Sequence, residues 1–237
     1  MTEFAIRDPR PGDAEPLEEL ITAHFSEGST YGVDLGLDDP TYHVLVAVES
    51  GDDANVAESG DDANVAESGD DANVAESGGD ANVAESGDDR SEGDRGDAVC
   101  GVMALREFAD PAELADEMYF FDDRDLLPAA DRYGHLEMGY VGEAATGRGI
   151  GSRLLERLHA VGAARGVDLF LADSWYHGGD DSPEKLFDAH GYETVHRDPI
   201  ERSAEECPKC EGECVCEGAL AVRRVAGDED DAEAGTS

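Results

Sequence analysis

Basic charge is what this chain has least of: 17 Lys+Arg stand against 58 Asp+Glu in 237 residues, a formal net charge of −41. Only Lys185 and Lys209 are lysines, so nearly every cation is a guanidinium group. Like-sign repulsion with phosphates argues against nucleic acid or an anionic membrane as a main partner. No run approaches the roughly 20 apolar residues of a membrane span. The opening MTEFAIRDPRPGD has no basic segment followed by an apolar run, so it does not read as a signal peptide. A soluble cytoplasmic protein is expected. Aromatics are sparse at 6%, yet a hydrophobic content of 40% suffices for a packed core. At about 150 residues per domain, one or two domains are allowed.

The acidity is unevenly spread. Residues 49–97 hold 17 acidic and 2 basic residues, and the tail 226–237 holds five acidic and none basic. The remainder still carries a net of −21. An acid-rich, lysine-poor surface of this kind looks like that of proteins from salt-loving organisms, where molar salt screens self-repulsion over roughly 3 Å.

Residues 49–84 are four near-copies of one nine-residue unit, ESGDDANVA three times and ESGGDANVA once, followed by a degraded stretch to Asp97. A calcium-binding β-roll also has a nine-residue period, but needs several glycines per unit and an aspartate two before an apolar residue. Most units here have one glycine, and Asp53 lies three before Val56. One valine per unit cannot bury a face, so 49–97 is expected to be a disordered, dispensable insert. The tail 226–237 reads the same way. Strand-like runs at Thr41–Glu49 and Ala98–Glu107 flank the insert like the two arms of a hairpin. Expanding a short turn to about fifty residues costs only ~2 kcal/mol in loop closure.

Phe4–Arg7 reads as a strand. Asp13 is placed to cap a helix with Pro16 in its first turn and Leu17, Leu20, Ile21 and Phe25 on one face. His135–Val141 reads as a strand, then Ile150, Leu154, Leu158 and Val161 recur at helical spacing up to Gly166. Val167–Asp173 is an apolar strand. Ser182 and Pro183 open a short helix ending at Gly191, with strands at Tyr192–Val195 and Ala219–Val225. The order β-α-(β-β)-β-α-β-α-β-β describes one mixed α/β domain over 1–225.

Thr146-Gly147-Arg148-Gly149-Ile150-Gly151-Ser152 joins a strand to a helix. Glycines allow a tight turn and close approach to a ligand, and first-turn N–H groups with the helix dipole suit phosphate oxygens. A Rossmann site needs a third glycine where Ser152 stands, and no Gly-Lys-Ser/Thr of a Walker loop occurs. This turn resembles the pyrophosphate loop of the GNAT superfamily of acyl-CoA-dependent N-acyltransferases, Arg/Gln-x-x-Gly-x-Gly/Ala after a strand ending in Val, with Val141 as that valine. Phe187-Asp-Ala-His-Gly191-Tyr192 resembles the family's Tyr-x-x-x-Gly-Phe/Tyr helix end, and IRDPRPGDAEPLEEL its opening strand and helix. The likeness spans residues 3–225 apart from the insert and a cysteine cluster. Two positions depart from it: Thr146 stands for Arg or Gln, and Phe187 for a tyrosine that protonates the departing thiolate.

The resemblance implies a largely antiparallel mixed sheet flanked by helices, and acetyl transfer from acetyl-CoA to an amine acceptor. It places the cofactor against Tyr140, Val141, Thr146, Gly147, Arg148, Gly149, Ile150, Gly151, Ser152 and Phe187. The base in the family is often a Glu on the strand before the loop. Alternation along a regular strand puts His135, Glu137, Gly139 and Val141 on one face. Glu137 is the first candidate, His135 the second, and Glu143 a weaker third. Asp173, Tyr176 and His177 follow the next strand, near where the family's sheet splays, and are candidates to bind the amine or relay a proton. Members of the family often form homodimers.

Four of the five cysteines fall in Cys207-Pro-Lys-Cys210-Glu-Gly-Glu-Cys214-Val-Cys216. That spacing lets four thiolates converge on one tetrahedral ion, and a cytoplasmic setting argues against disulfides. Structural zinc is the first reading, an iron–sulfur cluster or free thiols the alternatives. Cys100 reads as a small core residue. Two other functions are consistent with the sequence. One is a non-catalytic acyl-CoA-binding protein, suggested by Thr146 and Phe187. The other is an interaction module built on the cysteine segment.

Overall fold

Val44, Val46 and Val48 alternate with Leu45 and Ala47 along Tyr42–Glu49, and all five are buried. A strand with apolar residues on both faces must lie inside a sheet covered on both sides. This strand (β2) pairs antiparallel with Ala98–Phe108 (β3), Glu49 opposite Ala98. The hairpin expected from the flanks of the repeats is therefore present. The computed structural model describes residues 4–25, 35, 38–49, 98–179, 182–200 and 214–225, all within the unit Met1–Ser50 plus Ala98–Ser237. Of the expected insert, Glu49 is the last residue of β2 and 50–97 lie outside the described residues, as do the acidic tail 226–237, the side chain of Phe25 and both Cys207 and Cys210.

Among the described residues seven strands form one sheet in the order β1-β2-β3-β4-β5-β7-β6. Besides β2 and β3 these are β1 (Phe4–Arg7), β4 (Tyr133–Val141), β5 (Leu169–Tyr176), β6 (Glu193–Pro199) and β7 (Glu217–Arg224). Only β4 and β5 run parallel; the other pairs are antiparallel. The described helices that cover the sheet are α1 (Ala14–Phe25), α2 (Pro111–Glu117), α3 (Ile150–Ala164) and α4 (Glu184–Ala189). One face carries α3, whose Ile150, Leu154, Leu155 and Leu158 pack on Leu45, Met103, Leu105, Leu136 and Phe170. The other carries α1 over Val44, Val46, Val48 and Val102, and α2 over Phe108, Leu169, Leu171 and Leu220. Each such buried leucine contributes roughly 1.5–3 kcal/mol. Gly162 lets α3 sit close on the sheet, since a Cβ there would lie 2.7 Å from the Phe170 ring. No described helix is long and apolar enough to cross a membrane.

Several local expectations change. Helix α2 is additional to the expected elements, although Asp110 caps it through the Ala112 N–H and Pro111 opens it. The carboxylate of Asp13 turns back to the Arg10 N–H and the Arg7 guanidinium. Pro183, not Ser182, stands at the start of α4, and the Ser182 hydroxyl has no hydrogen-bond partner among the described residues. Strand β6 runs on to Pro199, because β7 offers a full-length antiparallel partner.

At the sheet end opposite the glycine turn, Glu107 is buried with its side chain 1% exposed. It accepts from Arg132 at 3.0 Å and from Arg165, and pairs with His43 at 2.6 Å. Burial alone would raise its pKa, but His43, Arg165 and Arg132 together bring it below the usual value. A depressed folded pKa means stability that is present above the unfolded pKa of about 4.5 and is lost as pH falls through the folded one. Glu107→Gln is expected to cost about 2 kcal/mol near neutral pH, since it removes charge-assisted hydrogen bonds. The thermal midpoint should drop by roughly 4–8 °C. The variant should also lose less of its stability than the parent on acidification. A midpoint equal to the parent's would show that the cluster contributes nothing.

Candidate active site

β4 is not a regular strand. Leu136 pairs with Leu105 and Met138 with Ala104, so Glu137 is an extra residue without an opposite number on β3. A bulge of this kind shifts the side-chain alternation by one. Before it, Leu136 belongs to the α3 face and Tyr133 to the α2 face; after it, Val141 is on the α3 face and Met138 and Tyr140 pack toward α1. The expected common face of His135, Glu137, Gly139 and Val141 is thereby corrected. His135 lies on the α2 side, its ring 6.4 Å from that of Phe108. Glu137 points the same way, to Arg106. Gly139, whose Cβ would meet Met103, and Val141 face α3.

The paired ladder between β4 and β5 covers only Tyr133–His135 and Leu169–Leu171. Beyond it the two parallel strands part, and the edge of β4 toward β5 has no strand partner up to Val141 among the described residues. Where β4 ends, the chain turns through Gly142–Gly149 into α3. Gly147 and Gly149 have φ of 72° and 78°, which side-chain-bearing residues rarely adopt, and Gly149 is the residue before the first helical position. No side chain caps α3 and no acidic residue stands in its first turn, in a chain of 58 acidic residues. A groove of about 270 Å³ opens there, lined by Val141, Ala145, Thr146, Gly147, Gly149, Ile150, Gly151, Ser152 and Leu186. The first N–H to be used within the helix is that of Arg153, bonded to Gly149 O at 3.1 Å. The amides of Ile150, Gly151 and Ser152 precede it, at the positive end of the helix dipole.

Seven of the ten expected cofactor positions thus line one groove, and Ala145 and Leu186 join them. The other three are elsewhere. The Arg148 guanidinium pairs with Glu49 and lies 5.9 Å from the Phe4 ring, tying the turn to β1 and β2. Tyr140 packs with the α1 cluster. Phe187 is 6% exposed, its ring 5.1 Å from Tyr192. Tyr192 in turn shares a 2.7 Å hydrogen bond with His159 of α3, so the Phe187–Tyr192 segment is built into the core. Burial holds the Tyr192 hydroxyl far above its usual pKa and, with Arg223 and His190, brings His159 down to about 4. Thr146 donates its hydroxyl to Glu143 O at 2.8 Å.

On the α2 side of the parting strands stand the side chains of Glu137, His135 and Asp173. Glu137 accepts from Arg106 at 3.4 Å. His135 is 4% exposed; burial, and then the Arg106 charge, lower its pKa to about 4, and its Nδ1 has no hydrogen-bond partner among the described residues. Asp173 accepts the Phe120 N–H at 2.7 Å. Tyr176 is 2% exposed and faces α3, away from Asp173, and His177 Nδ1 accepts the Gly179 N–H. Of the cysteine segment, Cys214 is half-buried and Cys216 is 3% exposed just before β7. Among the described residues no three His, Cys, Asp or Glu side chains converge on a metal-sized site.

No protein-family model matches the chain, and neither does any curated protein. Solved structures do. NAA60 of Arabidopsis thaliana in complex with a bisubstrate analogue is 14% identical, with 95% of this chain and 99% of that chain covered and a TM-score of 0.54. The same protein in complex with acetyl-CoA aligns at 14% identity over 95% of this chain and 100% of that chain, TM-score 0.52. A GCN5-related N-acetyltransferase from Kribbella flavida is 14% identical over 94% and 98%, TM-score 0.51. A seven-stranded mixed sheet, parted between its two parallel strands and turning into a helix at a glycine-rich loop, is the fold of the GNAT acetyltransferases, and this chain has it.

Proposed function

We propose that the chain is an N-acyltransferase that carries an acetyl group from acetyl-CoA directly to an amine. The observation that carries this reading is the start of α3: an uncapped helix N-terminus with no carboxylate in its first turn, opening on a groove at the end of β4. In so acidic a chain, such a site suits a bound anion. The resemblance to a fold that NAA60 shows with acetyl-CoA bound supports the same ligand here. In this reading the amides of Ile150, Gly151 and Ser152 hold the pyrophosphate, and Thr146, whose hydroxyl and N–H both donate to Glu143 O, only lines the groove. The pantetheine lies along the open edge of β4, where backbone donors are free of strand partners. They stabilise the oxyanion that forms when the amine attacks the thioester carbonyl. Holding both substrates in register supplies the rest of the acceleration.

Titration with acetyl-CoA in multimolar KCl, followed by thiol release against a panel of amine classes, tests this. Binding with release is expected. Binding without release to any amine favours a non-catalytic acyl-CoA-binding protein, a reading motivated by Phe187, which is buried and has no proton to give a leaving thiolate. Absence of binding by a folded sample removes both. The four cysteines are proposed to hold one structural zinc ion, supported by their spacing and by the burial of Cys216. Elemental analysis of natively purified protein should find one equivalent, and less than about half an equivalent would remove zinc from the description.

A further inference from the structure

Acyl transfer to an amine needs a group that takes a proton from the ammonium form, so the identity of that group is a question only within the acyltransferase reading, on which its assignment rests. Glu137 has Arg106 at 3.4 Å, and that guanidinium also has Asp39 and Glu117 at 3.6 Å. A carboxylate whose charge is already stabilised by a cation is a weak base. His135 is buried and titrates at about 4, too low to hold a proton near neutral pH. Asp173 differs from both. Leu171 is the last β5 residue paired with β4, opposite His135, and Asp173 is the next β5 residue on that face, where the strands part. Its Oδ2 accepts the Phe120 N–H at 2.7 Å, while its Oδ1 is buried with no hydrogen-bond partner among the described residues.

We propose that Oδ1 of Asp173, through one bridging water, accepts the proton of the acceptor amine. The water takes a proton from the ammonium and passes one of its own to Oδ1. The freed lone pair forms the C–N bond at the thioester carbonyl carbon, and the C–S bond breaks with its electron pair leaving on sulfur. The second N–H proton neutralises that thiolate, and Asp173 returns its proton to solvent. Burial, outweighing the amides of Phe120 and Tyr119, pushes the Asp173 pKa up to about 6, which leaves it mostly ionised yet basic at neutral pH. The titratable and charged groups on the elements around Asp173 are His135 and Glu137 on β4, Arg106 on β3, Glu117 at the end of α2, the Tyr119 hydroxyl after it, and His196 on β6, which pairs with Leu220 and packs on the Phe121 ring. On β7 it faces Leu220. None of these side chains contributes to the shift.

The test compares the pH dependence of kcat for the parent, Asp173→Asn and Glu137→Gln, with acetyl-CoA and the best amine of the panel. Asparagine keeps an acceptor for the Phe120 amide, so the 119–120 segment stays tethered. Asp173→Asn should lose about a hundredfold or more in kcat, with its acetyl-CoA affinity unchanged. The acidic limb near pH 6 should be present in the parent and in Glu137→Gln, and absent in Asp173→Asn. Infrared titration of the free protein, parent minus Asp173→Asn, should show one carboxyl with a midpoint near 6. A limb that persists in Asp173→Asn, a rate within about threefold of the parent, or an infrared midpoint near 4 overturns the proposal. A variant that is slow but keeps the limb marks Asp173 as only a tether for the 119–120 segment, and overturns it too. A parent that releases no CoA thiol sinks the acyltransferase reading and this assignment with it. The infrared midpoint, read without substrate, tells that failure apart.

Discussion

Replacing Ser152 with glutamate is expected to weaken acetyl-CoA binding by about a hundredfold while leaving the protein as stable as before or slightly more so. Two effects of the same carboxylate run in opposite directions. At the third position of α3 it accepts from amides that no side chain now caps, and an anion in the first turn interacts favourably with the helix dipole by about 0.3–1 kcal/mol. The same group stands in the groove beside Gly147, Gly149 and Gly151, where the diphosphate is proposed to lie. Two like charges ~5 Å apart at an effective dielectric of about 20 repel by ~3 kcal/mol, enough for that factor. A partly buried pair is screened less by salt than an exposed one, so the effect should survive in multimolar KCl. Calorimetric titration beside a thermal melt reads both quantities. An unchanged dissociation constant would move the diphosphate away from α3. Reduced binding with a lower melting temperature would mean that the turn itself had been damaged.

Transfer from multimolar KCl to about 0.1 M salt is expected to lower the thermal midpoint by roughly 8–16 °C, reversibly. A net of −21 is left on the chain after the repeats and the tail are set aside. At 1 M salt the screening length is about 3 Å, so carboxylates on neighbouring turns scarcely interact; at 0.1 M it is about 10 Å and most of one face repels itself. A loss of about 4 kcal/mol is a modest result of such repulsion and translates into that midpoint shift. The described ion pairs cannot compensate, since most involve half-exposed groups such as Arg197 with Glu184 and Glu217, and pairs of that kind are each worth about 0–1 kcal/mol. Circular dichroism melts across a salt series measure it. A midpoint that is flat from low to high salt would show that the acidity has no such role.

Much of the scaffold was legible because it rests on local patterns. The alternating valines of β2, the leucine spacing of α3 and the glycine turn between β4 and α3 each announce their own geometry within a dozen residues. The hairpin interrupted by the repeats was legible too, since its two arms are both apolar runs and end opposite one another at Glu49 and Ala98. Helix α2 escaped the sequence pattern although its cap, Asp110, and opening proline, Pro111, are both there; its seven residues are too few for periodicity to register. The bulge at Glu137 carries no signal in β4 itself. It exists because β3 and β4 must both satisfy their ladder while Leu136 and Val141 reach the same core.

The amino-acid sequence alone determined the order of the strands and of every helix but α2, and the place of the glycine turn before α3, because each depends on neighbours a few bonds apart. Tertiary structure decided which side chains that turn presents. It drew Arg148 to Glu49, ninety-nine residues away, and buried Phe187 against Tyr192. It also set Asp173 on the α2 side, just past the last paired residues of β4 and β5, with one oxygen unpartnered among the described residues. Those outcomes follow from burial and charge pairing between segments distant in the chain, and such energies exist only once the sheet has brought the segments together.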